Sequence, residues 1–330
     1  MAITNSSVVL PVEYGREIIR GLIGRSKALE LGRRLPDMRG KTYKLNVNAN
    51  LPVAGWVKNS QGVVNSNAEG SEINRKPVSS YAFQGVDLTA EELAVIVPIS
   101  ENTLADVEDF GIELAAELQE QVIGAFQEAI DSAVFFGVGA PWTGYTGLVA
   151  EATSAGATVS WNGTSGTSFY EAISDAMEYV ENSGYIPNAI LGGPSLNSAF
   201  RNSITNLGVN VADQGQIGAL PRHIDLTGGF NQSSAFAIVG DFRYLVYSFR
   251  EEMAMKLLTE STIYDPVSGS VLYALAQQDM VALRFTMRLG FALPNPVNRV
   301  SGTLSSDGRY IEKGASAYPF AVITKSTVSA

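Results

Sequence analysis

The side chains able to do chemistry in this 330-residue chain are few and scattered. There is one histidine, His223, in the stretch LPRHIDL, and no cysteine. A histidine-rich or thiolate metal site is therefore excluded, as is a cysteine nucleophile, and any Ser-His-Asp triad would have to pass through His223. Its place beside Pro221 reads as a loop. Asp106, Glu108 and Asp109 form an acidic group whose spacing does not match an EF-hand calcium loop. The stretch GVGAPWTG at 137–144 imitates a glycine-rich phosphate loop, but it follows a helical pattern and lacks the Gly-Lys-Ser/Thr signature. Neither a nucleophile elbow nor a cofactor fingerprint is legible. The expectation is a chain without catalytic residues, metal or cofactor, which acts through its surfaces.

Charge on those surfaces is segregated. The net charge is -10. Residues 1–44 nevertheless carry nine basic side chains against four acidic ones. Between Lys76 and Arg201 there is no lysine or arginine, and the interval 77–200 holds 17 acidic side chains. Two readings fit a basic start and an acidic middle: nucleic-acid binding by the arm, or pairing between copies of the chain. Overall acidity argues against a dedicated DNA reader. The candidate contact residues are Arg16, Arg20 and Arg25 in the arm, Lys58, Arg75 and Lys76 in a loop, and Glu113, Glu117 and Glu120 on a helix.

Periodicity supplies the elements that must position them. VEYGREIIRGLIGRSKAL sets Val12, Ile18, Ile19, Leu22 and Ile23 on one stripe, a short amphipathic arm suited to a protein neighbour. KTYKLNVNAN is extended, and the Asn-, Ser- and Gly-rich stretch from Lys58 to Pro77 reads as a tip or loop. Tyr81–Leu88 and Leu93–Ile99 read as two further strands, so 46–99 form a long two-stranded excursion. Ser100 is a plausible N-cap for a short helix. The stretch from Glu108 to Pro141 then reads as one helix, with Phe110, Leu114, Leu118, Val122, Phe126, Ile130 and Val134 in steps of four. Such a helix spans roughly 42 Å, with Gly137 as its C-cap.

Further on, 151–168 reads as a polar connector, 168–185 as a helix, and 188–204 as strand, turn and helix. Residues 234–258 read as two strands about Gly240-Asp241. MVALRFTMRLGFAL alternates strictly, with Val281, Leu283, Phe285, Met287, Leu289 and Phe291 facing one way. AYPFAVIT adds a terminal strand. With 45% hydrophobic and 17% charged residues, a large core can be buried. No export signal is legible, and no apolar run approaches the ~20 residues of a membrane helix.

The order of these parts resembles the major capsid proteins of tailed bacteriophages, whose fold is shared with encapsulins and the herpesvirus capsid floor. The stretches that carry the resemblance are the basic arm, the extended loop, LAVIVPIS, the helix end EAIDSAVFFGVGAP with Asp131, Gly137 and Gly139, the strand corner IVGDFRYLVY, MVALRFTMRLGFAL with Arg288, and the ending YPFAVIT. The resemblance implies an α+β fold with an N-terminal arm (1–45) and an extended two-stranded loop (46–82). It implies a peripheral domain (83–149 and 262–330) holding a spine helix at 108–137 and a long β-sheet, and an axial domain (150–261). It further implies hexamers and pentamers in an icosahedral shell around double-stranded DNA, assembled in the host cytoplasm. The implied partners are a portal protein, scaffold and decoration proteins, and packaged DNA in non-specific contact. The alternative is an encapsulin-like compartment shell.

Overall fold

In a computed structural model of the chain, residues 25–55, 79–103, 114–161, 169–202, 220–300, 302–304, 311–312 and 318–325 are described. The elements run α1 (Lys27–Leu31), β1 (Arg33–Arg34), β2 (Thr42–Asn50), β3 (Ala82–Ser100), α2 (Leu114–Phe136), α3 (Leu148–Ser154) and β4 (Thr158–Trp161). They continue α4 (Phe169–Asn182), β5 (Ala189–Gly192), α5 (Ser195–Asn202), β6 (Arg222–Ile224), β7 (Ala237–Gly240) and β8 (Val246–Leu258). The last are β9 (Thr262–Tyr264), β10 (Val271–Ala274), β11 (Met280–Ala292), β12 (Thr303–Leu304), β13 (Ile311–Glu312) and β14 (Phe320–Lys325). Mixed helix and sheet of this kind is the expected α+β class. One five-stranded sheet has the order β1-β8-β11-β3-β2, and a second has the order β4-β14-β7-β5-β6.

The chain forms two compact units. The described parts of Ala94–Ile123 and Ala254–Phe285 belong to the first. Those of Gly24–Leu93, Gly124–Met253 and Thr286–Ala330 belong to the second. In the first unit, among the described residues, β9 and β10 pair only with each other, in an antiparallel hairpin. The backbone N–H of Glu101 donates to Asp279 at 2.9 Å, and Leu275 is buried where the hairpin closes.

In the second unit β2 and β3 pair antiparallel from Thr42↔Thr89 to Asn50↔Ala82, which is the expected two-stranded excursion. Met38, Leu88, Ala90, Val246 and Ala292 make a small core beneath it. The second sheet is drier. Every residue of β5 and β7 is buried, and α4 packs across β4, β7 and β14. Phe169, Ala172, Ile173, Ala176 and Val180 supply the buried stripe of α4 at helical spacing.

On α2, Val122, Phe126, Ile130 and Val134 are all buried, as their four-residue spacing predicts. At 23 residues the described helix is about 35 Å long. It stops where sequence reasoning places the stop: Gly137 has φ +71°. A Cβ there would collide with the carbonyl of Thr146, and one at Gly147, φ +104°, would sit 2.5 Å from the Gly137 nitrogen. The two glycines let the chain double back against itself.

Several expectations are corrected. Tyr81–Leu88 and Leu93–Ile99 are not two strands but one 19-residue strand, β3. Adjacent Glu91 and Glu92 suggest a break, yet neighbouring strand residues point to opposite faces, and Glu91 meets Lys41 at 3.5 Å. His223 lies on β6, not in a loop. The connector expected from 151 begins instead inside α3, which buries Leu148, Val149 and Ala152, and continues into β4. The terminal strand β14 lies within the second sheet, between β4 and β7. The acidic group at 106–109 and the helical stretch 108–113 lie outside the described residues.

Candidate assembly interface

Three hydrogen-bond donors from the arm root, and the Thr227 hydroxyl from a second distant segment, converge on one buried carboxylate, Asp131, in the last turns of α2. Ser26 Oγ donates to its Oδ1 at 2.7 Å and the Ala28 N–H to the same oxygen at 3.0 Å. The Lys27 N–H donates to Oδ2 at 3.0 Å, and Thr227 Oγ1 lies 3.2 Å from Oδ2. Asp131 is 0% exposed, so these donors replace water entirely. The carboxylate binds the first N–H groups of α1, while Ser26 Oγ also accepts from the Leu29 N–H at 3.3 Å as the N-cap. The loop 227–229 must come close: a Cβ on Gly229 would lie 2.7 Å from the Glu128 carbonyl oxygen.

Burial raises the Asp131 carboxyl to about 6, against the lowering effect of the Ala28 and Ser26 bonds, and Asp225 nearby adds to the rise. The single proton of the Thr227 hydroxyl goes to Asp225 Oδ1, the nearer oxygen at 2.7 Å. That leaves two oxygens facing each other at 3.2 Å, where a proton on Asp131 is welcome.

From this anchor the root of the arm is laid along β8. Arg33 and Arg34 pair in parallel with Val246 and Tyr247. The Leu35 and Met38 N–H groups donate to the carbonyls of Tyr247 and Phe249, both at 2.8 Å. Tyr247 Oη donates to the Leu29 carbonyl at 2.9 Å, and Ser248 Oγ to that of Pro36 at 2.7 Å. Arg34 bonds Asp37 and Glu252, both at 3.0 Å, with its guanidinium 5.0 Å from the Phe249 ring centre. Lys44 faces Asp87 across the β2–β3 hairpin at 3.8 Å. Part of the arm's positive charge is thus balanced inside the same chain, and by residues other than those of α2.

Of the candidate contact residues, Arg16, Arg20, Lys58, Arg75, Lys76 and Glu113 lie outside the described residues, as does the side chain of Glu117. Arg25 is exposed just before the anchor, where its charge helps to hold the Glu30 carboxyl below its usual range, behind the larger effect of Lys27. Glu120 is exposed on α2. Sequence reasoning marked Asp131 only through the family pattern and missed Ser26, Asp225 and Thr227. The available signal was an acidic residue next to the apolar stripe, between Ile130 and Val134, where an unpaired charge is not tolerated.

Beside the end of α2 is a cleft of about 350 Å³ lined by Leu93, Ile130, Val138, Trp142, Met287 and Leu289. Trp142 packs on Phe291 with ring centres 5.1 Å apart. Ala129, Ala133, Gly139, Pro141, Ser132, Glu91 and Glu92 complete the lining.

A fastened arm root and a long two-stranded hairpin are the features that these residues build. Residues 6–298 match the model of the phage capsid family, and the chain belongs to that family. A solved structure from Microbacterium phage Oxtober96 is 30% identical, with TM-score 0.78 over 96% of both chains. One from Mycobacterium phage Bobi is 22% identical, with TM-score 0.81 over 99% of this chain and all of that one. The capsid of an empty GTA particle computed with C5 symmetry shares the fold at 14% identity, with TM-score 0.57 over 98% of this chain and 100% of that one. No curated protein matches. The chain is a major capsid protein, a structural component of the virion.

Proposed function

We propose that the chain is the repeating tile of an icosahedral shell, joined as hexamers and pentamers around the double-stranded DNA of a tailed phage. The observation that carries this reading is family membership over residues 6–298 together with an arm whose root is fixed to the body at Asp131. A fixed root gives the arm a set direction, as a contact repeated between identical copies requires. The role is structural, without catalysis. Assembly takes place in the host cytoplasm, with a portal protein, scaffold and decoration proteins as partners and only non-specific contact with DNA.

In this reading α2 and the long sheet form the peripheral domain and the second sheet the axial domain, to which β14 is added. Arg16, Arg20, Arg25, Lys58, Arg75 and Lys76 meet acidic residues of neighbouring copies, among them Glu113, Glu117 and Glu120. Exposed pairs of this kind are screened over about 8–10 Å, so added salt weakens early assembly. Expression of the chain alone, followed by sedimentation and electron microscopy, tests the reading. Closed particles are expected for the wild type, and far fewer for Arg16→Glu/Arg20→Glu/Arg25→Glu with the fold intact. A discrete small oligomer under all conditions would overturn it.

A further inference from the structure

The carboxylate that fastens the arm root has a second buried acid for a neighbour. Asp225 is 2% exposed, and its Oδ1 accepts from the Thr227 N–H and the Thr227 hydroxyl, both at 2.7 Å. Its Oδ2 is buried and has no hydrogen-bond donor among the described residues. Thr227 Oγ1 also accepts from the Gly229 N–H at 3.2 Å, which leaves it one lone pair, on the side of Asp131 Oδ2 at 3.2 Å. Among the described residues neither acid has an ion-pair partner. The cations nearby gather on Glu30 instead: Lys27 Nζ bonds it at 2.6 Å, His223 Nδ1 faces it at 3.6 Å, and Arg25 acts on it as well. From α2 the further charged group is a third acid, since a Cβ on Gly228 would lie 3.6 Å from the Glu128 carboxyl. Two buried carboxylates without a counter-ion resist double ionisation, and their protons belong to the pair.

We propose that Asp131 and Asp225 hold a single proton between them, and that this proton pins the loop 225–229 to α2. With the proton on Asp131 Oδ2, the hydrogen bonds run one way, from Asp131 to Thr227 Oγ1 and from Thr227 to Asp225 Oδ1. Once it leaves, two lone pairs face each other at 3.2 Å and two negative charges share one dry space. The arm-root donors still hold an ionised Asp131, and more strongly, because a charged acceptor makes the stronger bond. The loop parts from the helix instead. Its backbone has the freedom to do so: Gly228 has φ +90°, and Gly229 rests on the α2 backbone without a side chain. Burial, with the Asp225 charge, raises the Asp131 carboxyl to about 6, so the pin is in place below that pH and withdrawn above it. The device belongs to the single chain and does not depend on the shell reading.

Hydrogen exchange of the purified chain between pH 5 and pH 8, corrected for the intrinsic pH dependence of amide exchange, tests the pin. Thr227 and Gly229 have N–H groups bonded inside the loop, and their protection should fall several-fold from the acidic to the alkaline end, with a midpoint at about 6. Lys27 and Ala28, bonded to Asp131 itself, should stay protected throughout. Thr227→Val removes the relay and should leave the loop weakly protected at every pH. Asp225→Asn removes the second charge and should move the midpoint to lower pH. His223→Gln should leave it in place. Wild-type protection that does not vary with pH overturns the proposal. So does a midpoint that persists in Thr227→Val, or one that vanishes in His223→Gln and so belongs to the contact with Glu30. Equal loosening at 27–28 and 227–229 also overturns it, because the proton then governs the whole anchor. Should Thr227→Val not fold, Asp225→Asn decides: an unmoved midpoint contradicts a shared proton.

Discussion

The second sheet and the β9–β10 hairpin are both small antiparallel-containing structures, yet they treat apolar residues in opposite ways. In the sheet, Ile190, Leu191, Ile238, Val239, Phe320 and Val322 are fully buried. In the hairpin, Tyr264, Val271, Leu272 and Tyr273 are exposed, and Val267 at its turn is 94% exposed. The sheet has neighbours on its strands and helices over it. Among the described residues the hairpin has two strands only, with no further strand on either edge. The difference teaches a division of labour. The sheet supplies the stability of the single chain, whereas the hairpin is a surface whose apolar residues gain only when another chain covers them.

The largest expected effect breaks the first half of that division. Phe320→Ala should cost about 3–5 kcal/mol and lower the melting temperature of the unassembled chain by roughly 10 °C. Leu272→Ala in the hairpin should change it by about 0.5 kcal/mol or less while lowering particle yield. Comparable losses of chain stability from both would erase the distinction.

Asp131→Ala comes next. It strands the Lys27 and Ala28 N–H groups and should cost about 3 kcal/mol by urea titration. Faster hydrogen exchange should follow at residues 27–35, because the arm root loses its anchor.

A smaller effect sharpens the same point through pH. The folded-state value of Asp131, about 6, lies above the unfolded value of about 3.9. The folded chain therefore binds this proton more tightly, and the site's contribution to stability declines as pH rises from about 4 to about 6. Relative to Asp131→Asn, the wild type should gain about 1 kcal/mol on acidification from pH 7 to pH 5. A constant difference across that range would mean that the carboxylate is held ionised by its donors.

The smallest effect concerns Lys44, whose partner Asp87 is 3.8 Å away and half exposed. Lys44→Ala should change chain stability by about 0.5 kcal/mol or less, since exposed pairs contribute little.

Local pattern made much of this fold legible. The four-residue stripe of α2, the strict alternation of β11 and the glycine corner at Gly137 each follow from contacts near in sequence. Pairing partners far apart in the chain were not legible. Nothing in YPFAVIT says that it will sit between Thr158–Trp161 and Ala237–Gly240, since any apolar strand suits a buried slot. The β9–β10 hairpin was missed because its apolar residues are exposed and have no core to set a period. The site was least legible. Asp131 reads as one acid among many until Ser26, 105 residues away, is seen to donate to it and Thr227, 96 residues away, to lie against it.

The central claim is that this chain is a tile which closes into a shell by contact with its own copies. Cryo-electron microscopy of the purified chain, expressed alone, tests it most directly. The account predicts closed particles in which this fold occupies five-fold and six-fold positions. A single small oligomer, unchanged by salt or concentration, would contradict it.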